Sequence, residues 1–470
     1  MKTIVTAMLL CGTVLGAEAM AMDAPLRPDQ TEFRGLYKEL VETNTTLSSG
    51  SCTLAAERMA ARLKAAGIKD SQITLFSTPE HPKDGGLVVV YPGTSAKLKP
   101  MLLLAHIDVV EAKREDWTRD PFTLIEENGQ FYARGTFDDK AQAAVWTDTL
   151  VRFAKEGYKP KRTIKLALTC GEESSGAFNG AEYLATQKRS LIDAAFALNE
   201  GGGGRSDENG KLLVQTIQVG EKAVQDFTLT ATNEGGHSST PVRENAIYAM
   251  SDAMLKIRDH EFAMEFNDTT RAFFAKSGPL YPGAIGKAMT ALAANPGDTA
   301  SEAVLNQDRS LHSMLRTTCV ATMVRGGHAL NALPQRVAVN VNCRMFPGRT
   351  SDETQAELAR VIGNPGITIE QTVTGKPIAK APPLNPAIIG PIEQLSGKFF
   401  PGVPVVPVMS TGATDGVFMG AVGIPTYGVP GIWVDSKMNN IHGLNEHMEV
   451  RSLYEGRDYL YALVKLLSSK

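Results

Sequence analysis

Past residue 21 the sequence has no long apolar run. A helix that crosses a bilayer needs about 20 consecutive apolar residues, so the sequence implies a mature chain without a membrane span. It also has no basic run and no interleaving of basic with aromatic residues, and the net charge is only -3 over 470 residues. That excludes the electrostatic footprint of a nucleic-acid partner. Internal repeats and low-complexity tracts are absent, which removes solenoid architectures. Cysteine is scarce: five in all, with a spacing that fits no zinc knuckle.

What is present begins with a leader. Lys2 gives a positive start, residues 4–15 are apolar, and small residues at 17, 19 and 21 offer cleavage sites. Residues 1–21 read as a secretory signal peptide, so a periplasmic or secreted protein is expected. Cys52, Cys170, Cys319 and Cys343 then remain. An oxidising compartment permits disulfides. Cys319 and Cys343 fall in two β-rich runs and can pair across strands; free buried thiols fit the sequence equally well.

The length predicts two domains with ample core. Residues 28–67 look helical, with a break at 47–51. Short apolar, β-suited runs follow at 87–91, 101–106, 163–169 and 194–198, with helical patterns at 140–155 and 177–186. Buried strands separated by helices predict an α/β domain with a largely parallel central sheet. Ligands of such sheets gather at the carboxyl ends of the strands. After Gly201–Gly204 the character changes. Residues 212–219 and 223–232 alternate like half-buried strands, and a helix is predicted over 244–259. Residues 260–318 are mixed and mostly helical, and strands return at 317–324 and 336–344. From 351 the α/β pattern resumes, closing with a helix over 451–467. The expected division is 22–218 with 349–470 as one discontinuous domain, and 219–348 as an inserted α+β unit.

The chemistry-bearing residues all sit just past strand ends. His106 and Asp108 stand two apart, so one can bind a cation while the other orients it. Asp138 and Asp139 come at the start of a helix, where an ordinary N-cap is the simplest explanation. Two adjacent carboxylates nevertheless repel unless a cation or proton intervenes. Glu172 and Glu173 follow a buried strand, Glu200 follows another, and His442 lies in a late loop. Singly, each is a plain strand-end or turn residue. Together they supply two imidazoles and several carboxylates, the donor set of two zinc-like ions with a bridging carboxylate. One glutamate of the 172–173 pair can bind metal while its neighbour takes a proton.

The segments "LLLAHIDVV", "ARGTFDDKA", "LTCGEES", "LNEGG", "NEGGHSSTP", "GGHALNALP", "NCRMFPG", "TGATDG" and "IHGLNE" run through nearly the whole mature chain. In that order they resemble peptidase family M20, the zinc carboxypeptidases, aminoacylases and amino-acid deacylases. The resemblance implies a phosphorylase/hydrolase-like catalytic domain, with helices on both faces of its sheet. It also implies an inserted ferredoxin-like satellite domain through which the chain forms a homodimer. It assigns His106, Asp138, Glu173, Glu200 and His442 to two divalent metals, zinc first, with cobalt or manganese as alternatives. Asp138 is the bridge, and the Asp138–Asp139 peptide bond is expected to be cis. Asp108 orients His106, Glu172 is the general base, and His237 stabilises the oxyanion. Asn331, Arg344 and Gly412 contact the substrate, Arg344 offering a fork for a carboxylate. His447 matches no ligand and is expected at the surface.

The resulting expectation is hydrolysis of an amide bond next to a free carboxylate, in a small peptide or an N-acyl amino acid. Two rivals stand beside it. An aminopeptidase of similar metal chemistry would recognise a free amine, and His237, Asn331 and Arg344 speak against it. A non-catalytic peptide-binding relative would have lost part of the ligand set or Glu172.

Overall fold

Strands Met101–His106 and Ile164–Thr169 are buried along their whole length. Their alternate side chains enter two different cores. Met101, Leu103, Ala105, Leu166 and Leu168 join one, while Leu102, Leu104 and Ala167 join the other. A strand covered on both faces has no wet side, which is why these runs are continuously apolar rather than alternating. The computed structural model describes residues 25–174, 177–372 and 376–470. The expected leader lies outside the described residues. Among them no helix is long and apolar enough to cross a membrane.

The main sheet has ten strands. At its centre Ile164–Thr169, Met101–His106, Phe196–Asn199 and Thr426–Gly428 run parallel, with His106 opposite Thr169 and Asn199 opposite Gly428. Their carboxyl ends therefore share one edge. Antiparallel strands complete the sheet on both sides. Helices Pro28–Val41, Cys52–Ala65, Lys140–Glu156 and Val450–Ser468 pack into the first core. Helices Gly180–Gln187 and Gly416–Ala421 pack into the second. Gly203 and Gly204, expected to break the pattern, instead open the strand Gly203–Ser206 of this sheet.

The second sheet is antiparallel throughout, in the order Thr318–Gly326, Arg336–Met345, Ala223–Thr232, Ile367–Thr372. With helices Ala246–Asp259 and Ser351–Ile362 against it, this is the ferredoxin-like arrangement expected of the insert. Buried and half-buried residues alternate along Arg336–Met345, as one covered face requires.

Two features differ from the expected division. The second sheet runs on to Thr372 rather than ending at 348, because Leu358, Ile362 and Ile367 belong to its core. Within the mixed stretch 260–318, helices Asp268–Ser277 and Gly283–Ala294 share a core with Val406 and Met409 of a main-sheet strand.

Cys52, Cys170, Cys319 and Cys343 are all paired. Cys319 faces Cys343 across two strands, and Cys52 at a helix start is bonded to Cys170 just before the 172–173 glutamates. The second bond ties segments 118 residues apart, a separation that local pattern cannot reveal.

Candidate metal centre

The site forms where three parallel strands end. His106 is the last residue of its strand, Glu172 and Glu173 follow Thr169, and Glu200 follows Asn199. The fourth contribution, Asp138, comes from the loop before helix Lys140–Glu156, and the Asp138–Asp139 bond is cis, as expected. Asp139 stands at the helix boundary, yet its side chain makes no capping bond. The simple N-cap explanation therefore fails for this pair.

Asp138 is the hub. One of its oxygens, Oδ1, lies 3.2 Å from His106 Nε2, and the other, Oδ2, lies 3.1 Å from His442 Nε2. Glu173 Oε1 is 2.8 Å from His442 Nε2, and Glu200 Oε1 is 3.8 Å from His106 Nε2. Two groups of donors result, His106–Asp138–Glu200 and Asp138–Glu173–His442, each with ligand atoms within 4.8 Å of one another. They share Asp138. A third such group joins His106, Glu172 and Glu173. Asp108 sits behind His106: the ring Nδ1 is 3.1 Å from its carbonyl and 3.5 Å from its carboxylate. Its Oδ2 also accepts the Glu173 N–H at 3.1 Å.

The electrostatics show how much negative charge is gathered. Burial pushes the carboxyl groups of Glu200, Asp139 and Glu173 up from their ordinary values. Burial opposes charging of His106, but the Glu200 charge and the bonds to Asp108 and Asp138 outweigh it and hold its pKa well above normal. Bonds to Asp138 and Glu173 raise His442 to about 10. In each case protons or imidazolium charge balance the carboxylates. Divalent cations at the same place would do this better, and imidazole with carboxylate is a donor set that such cations accept. The residues present thus fit two ions bridged by Asp138.

Two residues that sequence reasoning passed over matter here. Glu446 is 1% exposed, and its carboxylate gathers four donors from the 134–138 loop. These are Arg134 Nη1 at 2.7 Å and the N–H groups of Gly135, Phe137 and Asp138 at 3.0, 2.9 and 3.2 Å. Arg134 also donates to the Gly443 carbonyl beside His442. One carboxylate thereby fixes Asp138 and ties its loop to the histidine loop. The latter carries positive φ at Met438, Asn439, Asn440, His442 and Asn445. Asparagine and histidine tolerate that region better than most residues, but methionine does so reluctantly, so anchoring steadies the loop. The second residue is Lys376, whose ammonium donates to Glu172 Oε1 at 3.2 Å.

The remaining expected site residues lie elsewhere. His237 is exposed on a two-residue strand, its ring accepting the Ser239 N–H. Asn331 is exposed, with its carbonyl bonded to Ser238 N–H. Arg344 stands on the second sheet, opposite Val224 and Thr318. Gly412 is exposed in the loop after strand Val405–Ser410. Among the described residues, no hydrogen bond or ion pair joins His237 or Asn331 to the cluster. His447, expected at the surface, is buried, and its Nε2 lies 2.9 Å from Asp435. The strand His447–Glu449 that pairs it beside Tyr132 explains the difference.

Known proteins resemble this chain over most of its length. The profile of Peptidase family M20/M25/M40 matches residues 102–466. The N-fatty-acyl-amino acid synthase/hydrolase PM20D1 of Homo sapiens is 26% identical over 382 residues, covering 79% of this chain and 75% of that protein. A probable carboxypeptidase S-like 2 of Dictyostelium discoideum is 26% identical over 398 residues, covering 81% and 74%. Among solved structures, an M20 family metallo-carboxypeptidase of Sulfolobus solfataricus superposes with a TM-score of 0.67 at 17% identity, over 94% of this chain and all of that one. The dipeptidase Dug1p of Saccharomyces cerevisiae gives 0.63 at 15%, over 94% and 96%.

Proposed function

The chain belongs to peptidase family M20/M25/M40, and from that premise we propose a metal-dependent hydrolase acting on an amide bond next to a free carboxylate. Its substrates are small peptides or N-acyl amino acids. The observation that carries the reading is the position of Asp138, one oxygen toward each histidine, with Glu200 and Glu173 completing the two donor groups.

Two divalent ions held there, zinc by donor preference, would supply an acidified water and polarise the substrate carbonyl. The protein's own groups do the rest. Glu172, in the cluster but outside the two groups that share Asp138, takes the proton of the attacking water and returns it to the leaving nitrogen. Lys376 keeps Glu172 turned inward and places a cation on the leaving-group side, where the free carboxylate lies. Asp108 holds the His106 ring, and Glu446 holds Asp138.

His237, Asn331, Arg344 and Gly412 complete the substrate site when the chain dimerises. The dimer face is the edge strand Thr318–Gly326, where Val320, Met323 and Val324 are 59%, 52% and 63% exposed, with Ile247 and Tyr248 on the neighbouring helix. An exposed apolar edge strand invites pairing. Export of the protein to the periplasm or medium is supported by the leader pattern and by two disulfides.

Metal titration of the stripped protein tests the core of this reading. Wild type takes up two zinc equivalents per chain. His106→Ala and His442→Ala each lose one tight site, and Asp138→Ala weakens both. A single site in wild type, or an Asp138→Ala variant that binds like wild type, would refute the bridged pair.

A further inference from the structure

Thr414 and Asp415 stand between strand Val405–Ser410 and helix Gly416–Ala421. Asp415 is the boundary residue of that helix, where an aspartate ordinarily caps the first turn. Its side chain makes no such bond. The carboxylate is buried, and a buried charge is costly unless its oxygens are met. Both are met, and by one distant segment. Oδ2 accepts the Thr169 hydroxyl at 2.8 Å, and Oδ1 accepts Asn179 Nδ2, also at 2.8 Å.

That segment is the one that presents Glu172 and Glu173. Thr169 ends the strand before them. Asn179 directs its second N–H to the Gly171 carbonyl at 3.1 Å, while its Oδ1 caps helix Gly180–Gln187. Gly171 packs so closely here that a Cβ would lie 1.9 Å from the Phe178 carbonyl oxygen. The turn therefore cannot shift without moving residues 178–179, and Asp415 ties those residues to the strand end.

Thr414 reaches a different strand. Its Oγ1 accepts Asn199 Nδ2 at 3.1 Å, and Asn199 is the residue before Glu200. The Thr414 N–H is fixed in turn by Glu221 Oε2 at 2.8 Å. The strands that this pair touches flank the one that ends in His106. Among the described residues, no hydrogen bond or ion pair joins either side chain to a metal donor. Both act one residue group away from the donors they steady.

We propose that Thr414 and Asp415 are positioning residues with divided duties. Asp415 sets Glu173 for the ion shared with His442, and with it the base Glu172. Thr414 sets Glu200 for the ion shared with His106. The division is what separates this from a general structural role, since a loosened fold would weaken both sites alike. The inference rests on the reading of the centre as two ions that share Asp138.

The test is zinc affinity, by chelator competition, in backgrounds that keep one site each. His106→Ala keeps the Glu173 site, and His442→Ala keeps the Glu200 site. Asp415→Ala weakens zinc binding about 10–100-fold in the first background, the usual effect of losing an outer support. In the second it changes affinity by less than about threefold, as uncoupled groups do. Thr414→Val gives the reverse pattern. Asp415→Asn binds zinc like wild type in both. Its oxygen still meets Asn179, its NH2 meets Thr169 Oγ1, and the Thr169 hydroxyl turns to the Ala105 carbonyl 3.3 Å away. Asn179→Ser keeps a cap for its helix but drops the bond to Gly171, so it repeats the Asp415→Ala pattern should that variant fail to fold. Equal losses in both backgrounds, no loss in either, or an Asp415→Asn variant as weak as Asp415→Ala overturns the proposal.

Hydrogen exchange in metal-free protein separates the proposal from the reading it rests on. The Glu173 N–H is bonded to Asp108 Oδ2. Asp415→Ala speeds its exchange about tenfold, the scale of one lost hydrogen bond, and Thr414→Val does not. If wild type holds no pair of zinc ions but this difference is found, the metal reading fails and the positioning role stands. A Glu173 amide that exchanges alike in Asp415→Ala and wild type overturns the role whatever the metal content.

Discussion

Glu446 offers the sharpest test of how the fold builds the centre. Its carboxylate is buried and accepts four hydrogen bonds, all from residues 134–138. Glu446→Gln keeps the shape but removes the charge, and its NH2 group then faces a donor. Removing one partner of a buried ion pair costs about 3–5 kcal/mol, so a loss of that order is expected, with Arg134 left uncompensated. Stability alone does not separate a positioning role from a generic one. The control is Asp148, whose carboxylate pairs with Arg457 at 2.7 Å, both equally buried, in the helical layer. Arg457 keeps a second bond to Asp29 at 2.7 Å, so Asp148→Asn is expected to destabilise by less and to leave zinc affinity alone. Glu446→Gln is expected to weaken zinc binding by about 10–100-fold, the usual effect of losing an outer support of a metal ligand. Denaturant unfolding and competitive chelator titration on the two variants decide the matter. Equal zinc affinity for Glu446→Gln and wild type, or equal losses in both variants, would refute the argument that Glu446 sets Asp138.

Glu172→Ala should keep both metals and lose about 10²–10⁴ in turnover, measured by zinc content and single-turnover assay together. Lys376→Met should raise KM for free-carboxylate substrates by about tenfold or more, from the loss of one charge-assisted bond, and should lower kcat as well because Glu172 loses its partner; steady-state kinetics with KM unchanged would remove Lys376 from carboxylate recognition. Val320→Lys with Val324→Lys should shift the chain to monomers in sedimentation and lower activity, since the site then lacks His237 of a second copy. Removing the Cys52–Cys170 bond should cost about 4–5 kcal/mol and removing Cys319–Cys343 about 3, because the loops they close span 118 and 24 residues; denaturant midpoints of the two double-alanine variants give the order.

The residues that were legible in the sequence share a cause. His106, Glu172, Glu173 and Glu200 follow uninterrupted apolar strands, and a charge directly after a buried run stands out. Parallel strands then bring their ends to one edge, so the local signal already implied the cluster. Glu446, Lys376 and the Cys52–Cys170 bond gave no such signal. Their partners lie more than a hundred residues away, and Glu446 looks like any loop glutamate until Arg134 and the 135–138 amides are brought to it. The misplacement of His447 has the same origin: its burial depends on pairing with Tyr132, over three hundred positions earlier. The limits of the insert were hidden differently. Ile367–Thr372 is a short half-exposed strand whose membership in the second sheet is set by its register with Asp226–Ala231, not by composition.

The most direct test of the central claim is hydrolysis of a panel of dipeptides and N-acyl amino acids by zinc-loaded protein. Each substrate is offered with a free and an amidated carboxyl end, with a chelator control. Cleavage confined to free acids, abolished by the chelator and restored by zinc, is the predicted result. Cleavage that ignores the chelator, or that treats amidated and free ends alike, would contradict it.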